Sequence, residues 1–149
     1  MKVSLQDNKG TVLIDVAFAI GVLLLMALIY AATVQGASQS RYVADLNTKA
    51  MMIADKEIEA IKALSYDNAN YTSLLFYNLI DSSSNQSPFS FTRVGDTNNT
   101  VADVLPSGTG TVSIVDESLT LRKVTVTVSW KSKNGNRSYS VSTELAKLN

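Results

Sequence analysis

Three hydropathy patterns follow one another along the chain. From Val12 to Val34 the residues are apolar or small almost without a break, and Asp15 is the single charge among them. About 23 residues make a helix of roughly 34 Å, enough to cross a hydrocarbon core of about 30 Å. The second pattern is periodic. Val43, Leu46, Ala50, Ile53, Ala54, Ile58, Ile61 and Leu64 fall on one helical stripe, with Asp45, Lys49, Asp55, Lys56, Glu59 and Lys62 mostly opposite. Asp45 and Lys49 are spaced for an i,i+4 ion pair. Glu57 breaks the pattern, because it lands inside the apolar stripe. No proline occurs from Thr11 to Tyr66, and Gly21 and Gly36 are isolated. One continuous helix is therefore expected over 11–66, far longer than the mean of about 11–12 residues.

The third pattern alternates. In "LRKVTVTVSW" Val124, Val126, Val128 and Trp130 share one face, and Thr125, Thr127 and Ser129 take the other. "SYSVSTEL" repeats this with Tyr139, Val141, Thr143 and Leu145, and "TVSIV" (111–115) and "FSFTRV" (89–94) are shorter strands of the same kind. Asn134-Gly135 between the two longest is a strong hairpin signal. Residues 67–88 form a connecting loop with an apolar insert at Leu74–Ile80, under which Tyr66, Tyr71, Phe76 and Tyr77 are expected to pack. Residues 94–110 are expected to be loop. A long helix followed by about four antiparallel strands is the α+β order.

Composition narrows the chemistry. Thirteen basic and thirteen acidic residues cancel over 149 positions, so no bulk attraction to nucleic acid is expected. The chain has no cysteine and no histidine. That removes disulfides, thiolate metal sites, thiol catalysis and a Ser-His-Asp triad. No enzyme activity and no cofactor are expected. Asp96, Asn98 and Asp103 make an oxygen-rich stretch that is a weak calcium candidate. Its spacing lacks the EF-hand pattern, and Asp and Asn are common turn formers.

A carboxylate at membrane depth costs on the order of 2.5–3.5 kcal/mol on insertion scales, so Asp15 calls for a reason. Before the apolar run stands "MKVSLQDNKG", with Lys2 and Lys9, and positive charge there holds that end in the cytoplasm. "KG" followed by "TVLIDV" resembles the class III leader of type IV pilins and pseudopilins. In that family a short basic leader ends in Gly, and the fifth residue after it is acidic. Gly10 and Asp15 match these positions. Thr11 stands where Phe or Met is usual, and Asp15 where Glu is usual. "MIADKEIEAIKALSYDN" is also similar to a stretch of minor pilins and their secretion counterparts.

The resemblance implies a pilin fold: a leader over 1–10, a transmembrane helix over 11–35, an amphipathic helix over 36–66, and a loop-and-sheet head over 67–149. It implies cleavage between Gly10 and Thr11 by a prepilin peptidase and N-methylation of Thr11. It further implies insertion in the cytoplasmic (inner) membrane with the head outside, and assembly with other pilin subunits through the N-terminal helix. In a filament Asp15 would neutralise the Thr11 amine of a neighbour. An acid in the first helical turn also complements the macrodipole, worth about 0.3–1 kcal/mol, which is the simpler account of Asp15. Two other functions stay open on the residues: a pseudopilin of a type II secretion system, and a secreted or anchored binding domain whose signal peptide is cut near Ala37.

Overall fold

The computed structural model describes residues 9–81, 85–95, 99–133 and 135–147, with the side chains of α1 described from Leu13 onward. The order is α1 (Lys9–Ala63), α2 (Ser65–Asn68), α3 (Tyr71–Phe76), β1 (Phe89–Phe91), α4 (Val101–Val104), β2 (Thr109–Ser118), β3 (Leu121–Ser132) and β4 (Gly135–Ala146). The chain divides into two units, one ending at Tyr42 and the other beginning at Val43. The first unit is helical over its described residues.

In the second unit, a long helix accompanies a four-stranded antiparallel sheet. The strands lie in the order β1-β2-β3-β4, each hydrogen-bonded to its sequence neighbour. The amphipathic stripe of α1 is buried as its spacing requires. Leu46, Ala50, Ile53, Ala54, Ile58 and Ile61 join Val112, Val124, Val126, Val128, Trp130 and Leu145 in one core. On the opposite face of the sheet the hydroxyls pair with each other. Thr125 Oγ1 lies 2.9 Å from Ser142 Oγ, and Thr127 Oγ1 lies 2.8 Å from Ser140 Oγ. The strand faces are those the alternation predicts. Ser132 pairs with Gly135 to close the β3–β4 hairpin. Gly135 has φ 115°, which a residue with a Cβ rarely adopts. Asn134, the other half of the turn signal, lies outside the described residues.

Four local expectations need correcting. First, α1 stops at Ala63 rather than Tyr66. Ser65, with φ 63°, takes a left-handed turn that ends it, and α2 begins there. The carbonyls of Tyr66 in α2 and of Ala69 just after it then accept from Arg122 Nη1 at 3.1 and 2.7 Å, while Arg122 Nε donates to Asp116. The Arg122 guanidinium also lies 4.7 Å from the centre of the Tyr66 ring. Second, β1 is only three residues long. Beyond Phe91 the chain folds back on itself: Val101 N donates to Thr92 O, Val94 N donates to Asn99 O, and Arg93 bridges to Thr100. Third, the stretch expected to be loop holds α4. Thr100 and Asp103 form a capping box, each side chain taking the other's backbone N–H. Fourth, Tyr66 and Tyr71 are half-buried as expected, but Phe76 and Tyr77 are exposed and pair edge-to-face at 5.2 Å. The α3 segment buries Leu74 instead.

Glu57 is buried within this core at 3% exposure, and its Oε1 has no hydrogen-bond partner. Burial pushes its carboxyl up to about 8, with the nearby Asp81 charge adding to the effect. At neutral pH it is a protonated acid. That is how an all-apolar stripe accommodates it, since a neutral carboxyl costs far less to bury than a carboxylate.

Candidate functional site

The surface without an internal partner is the helix from Leu13 to Val34. Leu13, Phe18, Leu24, Leu28 and Ile29 are all exposed, and exposed apolar side chains lie on every side of the helix. Soluble monomers rarely expose continuous apolar patches of more than a few hundred Å². The helix is long and apolar enough to cross a membrane. Thr33 Oγ1 donates to the Ile29 carbonyl at 2.8 Å, so its hydroxyl is satisfied within the helix.

Asp15 stands on this surface, exposed, with no ion pair or hydrogen bond among the described residues. Over the described residues α1 runs from Lys9, and the first turn of that stretch holds no acid. The macrodipole effect fades beyond the first turn, so in the uncut chain it gives Asp15 little support. Gly10 and Thr11 lie within the first turns of α1, their side chains outside the described set. Residues 1–8 are likewise outside it.

The calcium candidate is not assembled among the described residues. Asp96 and Asn98 lie outside them. Asp103 is already engaged: its Oδ2 accepts from Thr100 N and Thr100 Oγ1, both at 2.8 Å. Those two bonds hold its carboxyl below the usual range. The signal for this role was the Thr-x-x-Asp spacing. Among the described residues no three His, Cys, Asp or Glu side chains come together as metal ligands. Compared with known proteins, the chain matches no family model, no curated protein and no solved structure.

Proposed function

We propose that the protein is a minor pilin-like structural subunit of a type IV pilus or related filament. The observation that carries this reading is one lone carboxylate, Asp15, on an otherwise apolar and uncovered helix ahead of an α+β head. On this reading residues 11–35 span the cytoplasmic membrane and hold the subunit until assembly. A prepilin peptidase cuts after Gly10 and frees the Thr11 amine. In the filament, neighbouring helices replace lipid around the apolar surface, and each Asp15 meets the amine of an adjacent subunit. At low dielectric such a pair is strong, and losing one partner costs on the order of 3–5 kcal/mol. The pair therefore sets the register between subunits as well as holding them.

Asp15→Ala tests this directly. Membrane insertion and leader cleavage should persist, while incorporation into filaments falls sharply. Asp15→Glu should assemble, since it keeps the charge on a longer stem. Wild-type incorporation of Asp15→Ala would remove the proposed role of the carboxylate.

A further inference from the structure

A second surface, in the head, is open along one strand. The sheet has two edges, and they differ. β1 is three residues long, and its Ser90 carbonyl already accepts from Asp81 N at 2.7 Å. β4 runs for twelve residues and pairs with β3 alone. The backbone groups that β4 turns away from β3 have no backbone partner among the described residues. α2 packs beside its far end, where Arg122 lies opposite Leu145 and donates to the Tyr66 carbonyl. The open length is therefore 136–143.

Exposed edges are commonly blunted by proline, lysine, a bulge or a covering segment. β4 contains no proline and no lysine, and its pairing with β3 runs without a bulge. Its core face is also incompletely covered. Tyr139 and Val141 pack against the core yet stay half-buried. Beside Tyr139, Asn47 and the exposed Met51 of α1 line an open groove together with Trp130 and Arg137. Trp130 is buried at this groove, and its Nε1 has no hydrogen-bond partner. A further strand would lay alternate side chains over Tyr139, Val141 and Met51 while its backbone pairs with the edge.

From this geometry we infer that β4 receives an extended segment of another protein as a fifth strand, with apolar side chains on the α1 side, small polar ones on the hydroxyl face, and an acid opposite Arg137. Register puts Arg137, Tyr139, Val141, Thr143 and Leu145 on the core face of β4, and Ser138, Ser140 and Ser142 on the other. Arg137 is the one charge on that core face, exposed and without an ion pair among the described residues. It selects the partner. Two β4 strands paired antiparallel about a dyad would oppose residues of the same face. That face holds no acid, so a second copy would leave Arg137 unanswered.

The full chain in detergent micelles would be titrated with the capped octapeptide Val-Thr-Val-Thr-Val-Thr-Glu-Thr, set antiparallel to 136–143 so that its Glu lies opposite Arg137. The fluorescence of Trp130, the chain's single tryptophan, should change saturably, and amide exchange should slow in β4. Two versions N-methylated at alternate residues separate strand addition from apolar adhesion. One should bind like the parent, and the other, methylated on the N–H groups that face β4, should not bind. Arg137→Glu should raise the apparent Kd about tenfold with the thermal melt unchanged, and a peptide carrying Lys in place of Glu should recover it. No saturable change, or equal binding by both N-methylated peptides, would overturn strand addition. An unaltered Kd in Arg137→Glu would overturn the acid. Slowed exchange in β4 on raising the protein concentration without peptide would give the edge to a second copy and overturn the partner.

Discussion

Within α1 similar side chains meet opposite fates. Leu24 is 61% exposed and Leu28 68%, whereas Leu46 is 3% exposed and Ile61 is fully buried. The difference is in pattern, not composition. Where apolar residues recur every three or four positions, the same chain supplies a sheet to cover them, and polar residues such as Asp45 and Lys49 pair on the far side at 2.7 Å. Where they run without a break, the side chains are exposed. The periodic stretch is stabilised from within the protein, and in the proposed reading lipid or other subunits cover the continuous one.

The strongest way to break this contrast is in the core of the head. Trp130→Ala should destabilise the second unit by roughly 3–5 kcal/mol, as large-to-small core changes do. Thr127→Ala on the hydroxyl face should cost no more than about 1 kcal/mol, through its bond to Ser140. Circular dichroism melts of the full chain in micelles would compare them, and equal losses would mean that the strand faces are reversed. Next comes the helix itself. Ile61→Ala should cost about 2–5 kcal/mol in the same melt. Leu24→Ala should leave the melt unmoved, because its side chain touches no core.

Which features could be read ahead follows from the same distinction. The stripe from Leu46 to Ile61 and the alternation around Val126 are local regularities repeated several times, so each residue reinforces the next. α3 and α4 are too short to show periodicity, and short helices draw most of their stability from tertiary packing. The exposure of Phe76 and Tyr77 was hidden because hydropathy does not say which end of a six-residue helix faces inward. Glu57 was visible as an anomaly, but whether it sat at a rim or in the core depends on the sheet above it. At the N-terminus Gly10 and Asp15 were legible as a spacing.

Glu57 gives the contrast a pH axis. Its folded carboxyl is raised to about 8 from an ordinary 4.5, so the folded head holds a proton that the unfolded chain releases. The associated stability is fully present below about pH 4.5, declines as pH rises, and is gone above about pH 8. The slope reaches about 1.4 kcal/mol per pH unit within that window. Asp81 is the charged group that acts on it. Glu57→Gln should flatten the dependence of the head's unfolding free energy over that window. A wild-type profile already flat there would contradict the buried, protonated acid.

The smallest expected effect is at the capping box. Asp103→Ala removes the acceptor for Thr100 N and should lower the denaturant midpoint slightly. Added calcium should not change the wild-type midpoint if Asp103 serves only as a cap. A calcium-dependent rise abolished in Asp103→Ala would restore the metal reading of this loop.

In the proposed reading the uncovered helix, its lone carboxylate and the basic residues before it depend on one event, cleavage between Gly10 and Thr11. Intact-mass and N-terminal mass spectrometry of the protein recovered from the membranes of cells that carry a prepilin peptidase tests that event directly. The account predicts a mature chain beginning at Thr11 and retaining the whole apolar helix, and accumulation of uncut chain in Gly10→Val. A chain beginning near Ser38, with the apolar helix removed, would contradict it.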